Sequence, residues 1–189
     1  MQFRKIVAAL AVALAGALQA SAPAAAAELP APRGAVVLTV AGNIENTNRP
    51  PFDAGRDLFL NYHDRGFERA AAFDREMLES LGMQEVEIAW EGGPAPVRLA
   101  GPRLKDVVAA VGGSGSAIAL LALDGYASEI AWAELESLDW IVALSQDGRP
   151  LGLGERGPLW VVYTYPDGRP LSAEDELRWP WATFYIEIE

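Results

Sequence analysis

Six tryptophans, a single histidine and no cysteine set the chemistry open to this chain of 189 residues. Without a thiol it has no thiolate nucleophile, no disulfide and no sulfur ligand for a soft metal. His63 is a pH-sensitive group, but it has no cysteine or second histidine with which to build a zinc site. No Gly-x-Ser-x-Gly elbow, phosphate-cradling glycine loop or metalloprotease helix motif occurs. What remains is recognition chemistry. Asp124 can accept two parallel hydrogen bonds from an aminopyrimidine edge, or serve as a turn residue before Gly125. Tyr126 can offer its hydroxyl to a ligand, or cap a sheet edge. Arg178, beside Trp179-Pro180-Trp181, can hold a ligand carbonyl or carboxylate, lie over an indole, or pair with Glu174, Asp175 or Glu176. Arg103 stands at an expected helix start and can serve an anion, or be solvated surface. Trp90 and Trp181 offer flat apolar faces for stacking, against the commoner use of an indole as core filling.

The elements that must position these residues follow from periodicity. Val36 to Val40 is a strand stopped by Gly42. A polar, proline-interrupted excursion runs from Asn43 to about Gly66, a length more often functional than not. Asp74 is an N-cap for a helix with Met77, Leu78 and Leu81 on one face, ended by Gly82. Val86, Ile88 and Trp90 alternate with Glu85, Glu87 and Ala89 as in a half-buried strand. Gly101-Pro102 is expected to open a helix carrying Leu104, Val107, Val108 and Val111. Ala117 to Leu123 reads as a strand covered on both faces, and Trp132, Leu135 and Leu138 as a short helix. Strands follow at Ile141–Leu144 and Leu159–Tyr163, with an Asp147-Gly148 hairpin between them. Ser172 with Asp175 forms a capping-box variant. The chain closes on a strand with Phe184, Ile186 and Ile188 on one face and Tyr185 and Glu187 on the other. Many strands, few short helices and frequent Gly/Pro turns predict an α+β domain dominated by a sheet or barrel.

The first residues read as a secretory signal. Arg4 and Lys5 precede an apolar stretch, Ile6 to Leu18, and Ala25-Ala26-Ala27 offers a cleavage site before Glu28. Removal of residues 1–27 would leave 162 residues, with residues 28–34 as a flexible lead-in to a single domain over 35–189. It would take the net charge from −11 to −13, since the segment carries two cations and no acids. Such a surface repels phosphate backbones, which argues against a nucleic-acid partner. The expected location is periplasmic.

Several segments, in order, resemble the oxidoreductase molybdopterin-binding domain of the sulfite-oxidase fold. They are Phe73-Asp74 with Leu78, Gly101-Pro102-x-Leu104, Leu123-Asp124-Gly125-Tyr126-Ala127-Ser128-Glu129-Ile130, Asp147-Gly148-x-x-Leu151, Gly157-Pro158-Leu159, and Trp181 with Ile186. The resemblance implies that fold and a pocket for a planar pterin, with Tyr126 in the segment that faces the active site. It places the enzymes' metal-binding cysteine near Ala89–Trp90, where this chain has no ligand, so molybdenum is not expected. Trp90 is either a stacking residue or the filler of the missing metal centre. The arginine that often follows Gly-Pro-Leu in the larger enzymes is Trp160 here. The chain is most similar to short, exported, cysteine-free members of that superfamily. Some of these bind a reduced pterin and act on membrane-bound cyclic-di-GMP enzymes or histidine kinases. The expectation is therefore a periplasmic pterin-binding protein with Trp90, Asp124, Tyr126, Arg178, Trp181 and Arg103 as ligand-binding candidates. A molybdopterin-dependent oxidoreductase and a partner-binding module with a filled pocket are the alternatives.

Overall fold

The computed structural model describes residues 29–89, 93 and 95–189. The expected signal segment and Trp90 lie outside the described residues. The architecture is mixed α+β, mostly sheet with a few short helices.

A five-stranded sheet is built from β1 (Val36–Gly42), β2 (Ala70–Asp74), β5 (Ala117–Ala122), β6 (Ala127–Ala131) and β11 (Thr183–Ile188). Its order is β2-β1-β11-β5-β6, with β1 and β11 parallel and every other pair antiparallel. The closing strand therefore sits in the middle, which requires both of its faces to be covered. Ile186 and Ile188 face the main core. Tyr185, on the opposite face with Glu187, is also buried, at 1% exposed. It packs in a second cluster with Ala41, Leu60, Ala70 and Leu121, roofed by Phe52 and Phe67. That roof is the Asn43–Gly66 excursion, with Phe67 just after it, and it carries the five-residue helix α1 (Leu58–Tyr62). It is fastened by Arg49, whose guanidinium donates to Asp57 at 2.6 Å and to Thr39 at 2.8 Å. The excursion thus serves the sheet as a lid on its second face.

The other strands form two joined ladders. One is β3 (Met83–Ile88), β4 (Val97–Pro102), β8 (Ser145–Gln146) and β9 (Arg149–Pro150); the other pairs β7 (Asp139–Ala143) with β10 (Trp160–Thr164). β7 runs into β8 across Leu144, whose N–H donates to Ala100 on β4 at 2.8 Å. Gly101 explains how closely β4 crosses this strand: a Cβ there would stand 1.9 Å from the Val142 carbonyl oxygen. Gly101-Pro102 therefore ends a strand, rather than opening a helix as expected. The helix α3 (Leu104–Ala110) starts two residues later and buries Leu104, Val107 and Val108.

Asp74 caps α2 (Arg75–Ser80) by accepting from Met77 N–H at 2.9 Å. Its other oxygen accepts from Arg33 and Gly34 N–H at 2.7 and 2.8 Å, so the lead-in is tied to the sheet where it meets β1. The backbone donors of Gly34 and Met77 hold this carboxyl below its ordinary value. The remaining helices, α4 (Trp132–Ser137) and α5 (Ala173–Glu176), follow β6 and β10.

Candidate functional site

The turn between β5 and β6 is Leu123-Asp124-Gly125-Tyr126. Asp124 accepts from the Tyr126 N–H at 2.9 Å through one carboxylate oxygen, an Asx-type turn. Gly125 sits at φ +88°, a conformation side chains resist, and a Cβ there would stand 3.5 Å from the His63 ring. Asp124 thus takes its turn role while its second oxygen makes no bond to a described residue. The Tyr126 hydroxyl crosses to the segment after α5 and donates to the Leu177 carbonyl at 2.6 Å.

That hydrogen bond ties together the two walls of a cleft of about 460 Å³. Asp124 and Tyr126 form one wall, Glu176, Leu177, Trp179 and Trp181 the other, and Arg156 and Trp160 also line it. Tyr126 is 46% exposed and Trp181 47%, so both present open aromatic faces. Trp160 and Trp179 are buried and meet edge to face at 6.3 Å. The Arg156 guanidinium lies 4.3 Å over the Trp160 ring.

The second wall is fixed from behind by Asp175. This carboxylate accepts from the Tyr163 hydroxyl, from Tyr165 at 2.6 Å, and from the Ser172 N–H and hydroxyl at 2.7 and 2.9 Å. Ser172 caps α5 in return, as the capping-box variant predicts. Burial pushes the Asp175 carboxyl up, but the hydroxyl and amide donors outweigh it and hold the group at about 2. Burial and the Asp175 contact both raise the Tyr163 hydroxyl.

Asp124, Tyr126 and Trp181 therefore come from distant segments into one cleft. Arg178 does not line it. Its guanidinium meets both carboxylate oxygens of Glu134 on α4 at 2.9 Å and lies 5.5 Å over Tyr163, so its partner is none of the three adjacent acids. Arg103 is the residue before α3, exposed and bridged through its backbone to Ile141, and it too lies outside the cleft. His63 packs behind the Gly125 turn against Phe59 at 4.8 Å. Sequence reasoning passed over Arg156 and Leu177, and named Glu176 and Trp179 only as neighbours of Arg178. The nearest available signal was the Arg-Gly-Pro-Leu-Trp run, where the arginine precedes a turn and the indole opens a strand.

No family model matches this chain. No curated protein matches it either. The donor set does not fit a thiolate-held molybdenum, because the chain has no cysteine. Among the described residues, no three His, Asp or Glu side chains gather as a ligand set.

Proposed function

We propose that this is an exported binding protein of the sulfite-oxidase fold that holds a small planar ligand, a reduced pterin, between Tyr126 and Trp181. The observation that carries the reading is the cleft itself. It joins half-exposed aromatic faces to two carboxylates, Asp124 and Glu176, in a volume suited to one bicyclic ring. The free oxygen of Asp124 accepts from the ring's amino group, Glu176 from a second N–H, and the aromatic faces exclude water. The open space beside Tyr126 weighs against a pocket filled by the protein's own tryptophans. With no thiol to anchor molybdenum, the site works by binding rather than turnover.

On this reading a membrane receptor, a cyclic-di-GMP enzyme or a histidine kinase, reads the occupancy. That step rests on the likeness to exported, cysteine-free pterin sensors. Calorimetric titration of the purified protein with tetrahydrobiopterin under argon tests the binding. Saturation at one site, weakened about tenfold by Asp124→Asn, is the expected result. An absence of heat at high micromolar ligand overturns the proposal.

A further inference from the structure

Half of the twelve described arginines in this acidic chain are neutralised locally. Arg49, Arg56, Arg65, Arg75, Arg98 and Arg178 each have a carboxylate within 3.4 Å. Arg156 is half-buried and has no such partner among the described residues. Its guanidinium lies over the face of Trp160 at 4.3 Å. Stacking uses the face of a guanidinium and leaves its in-plane N–H donors unspent.

Trp160 repeats the pattern. It is 1% exposed, and its indole N–H has no acceptor among the described residues. A buried donor without an acceptor is costly, so the Trp160 N–H beside the unspent donors of the half-buried Arg156 marks a place where an acceptor group belongs. Arg156 also lines a second cleft of about 420 Å³ with Arg149 and Gln146, between the β8–β9 hairpin and the loop that follows it. The acids of that cleft already have partners. Glu155 accepts from Gly152 N–H and faces Arg149, and Asp147 accepts from Arg98 N–H.

We infer that Arg156 and the Trp160 indole N–H form an oxyanion receptor, so that the ligand of the Tyr126–Trp181 cleft carries a carboxylate or phosphate directed at Arg156. This rests on the proposed ring-binding cleft and adds the ligand's charge. An oxyanion accepts from a guanidinium through two parallel bonds and leaves a lone pair for the indole N–H. In a chain of net charge −11, a guanidinium without a carboxylate partner at the end of an aromatic cleft also selects where an anion settles.

Two fluorescent probes with the same ring test this: pterin and pterin-6-carboxylate, each titrated into the whole protein. The carboxylate is expected to bind wild type about tenfold more tightly or better, the size of one charge-assisted contact. Arg156→Gln brings the ratio of affinities to about one, Arg156→Lys keeps part of it, and Trp160→Phe reduces it several-fold. Unfolding midpoints confirm that each variant folds. Equal affinities in wild type, or a preference that survives Arg156→Gln, overturn the oxyanion receptor while leaving the ring site standing. If neither probe binds, the ring site falls and the receptor falls with it.

Discussion

Asp175 gives the sharpest quantitative test of the packing behind the cleft. Its carboxyl is held at about 2 against an ordinary 3.8, so the folded chain surrenders this proton more readily than the unfolded one. The sign follows directly: the stabilisation is complete above about pH 5 and is lost as the pH falls through 3.8 toward 2. The gap corresponds to about 2 kcal/mol near neutral pH, of which about 1 kcal/mol is gone at pH 3. Asp175→Asn keeps the shape but places an amide nitrogen against either the tyrosine hydroxyls or the Ser172 N–H, so donors face donors. That substitution is expected to cost about 2–3 kcal/mol at pH 7. Urea unfolding followed by tryptophan fluorescence, at pH 7 and pH 3, measures both numbers. Asp57 and Asp74, also held low, titrate in both proteins and cancel in the difference. The gap between wild type and variant should narrow by about 1 kcal/mol at pH 3. A gap that is unchanged between the two pH values would refute the ionised-carboxylate account.

Gly101→Ala sets a Cβ against the Val142 carbonyl and should cost about 3 kcal/mol, seen as a lowered urea midpoint, whereas a change under 1 kcal/mol would contradict the close crossing. Tyr126→Phe removes the hydroxyl that holds Leu177; about 1 kcal/mol of stability should go, with faster amide exchange over residues 176–179 read by hydrogen–deuterium exchange. Elemental analysis of protein purified from its native host should find molybdenum far below one atom per chain. A stoichiometric amount would restore the oxidoreductase reading.

Strands whose faces differ, or that are apolar throughout, were legible in the sequence. β3, β5, β7 and β10 follow their patterns, and the caps at Asp74 and Ser172 are where residue type placed them. Three strands escaped. β2 is Ala-Ala-Ala-Phe-Asp, small because both faces are covered, and alanine is a poor strand signal. β4 ends in Gly-Pro, a breaker pair that here reflects a close crossing between strands. β6 is an edge strand with one buried residue, Ile130, so it lacks an alternating pattern. The burial of Tyr185 depends on a lid that begins over a hundred residues earlier, which local periodicity cannot encode. The same holds for the site. Asp124, Tyr126 and Trp181 could be named from local chemistry, but Arg178 is claimed by Glu134 across 44 residues, and Arg156 gains its meaning only from the Trp160 face.

The claim beneath the functional account is that a flat ligand occupies the cleft between Tyr126 and Trp181. The indole N–H signals of the six tryptophans in a nitrogen-15 spectrum report on it one residue at a time. Addition of tetrahydrobiopterin should shift the Trp160 and Trp181 signals saturably and leave that of Trp140, buried behind Tyr163, in place. Unmoved Trp160 and Trp181 signals at saturating ligand would contradict the account.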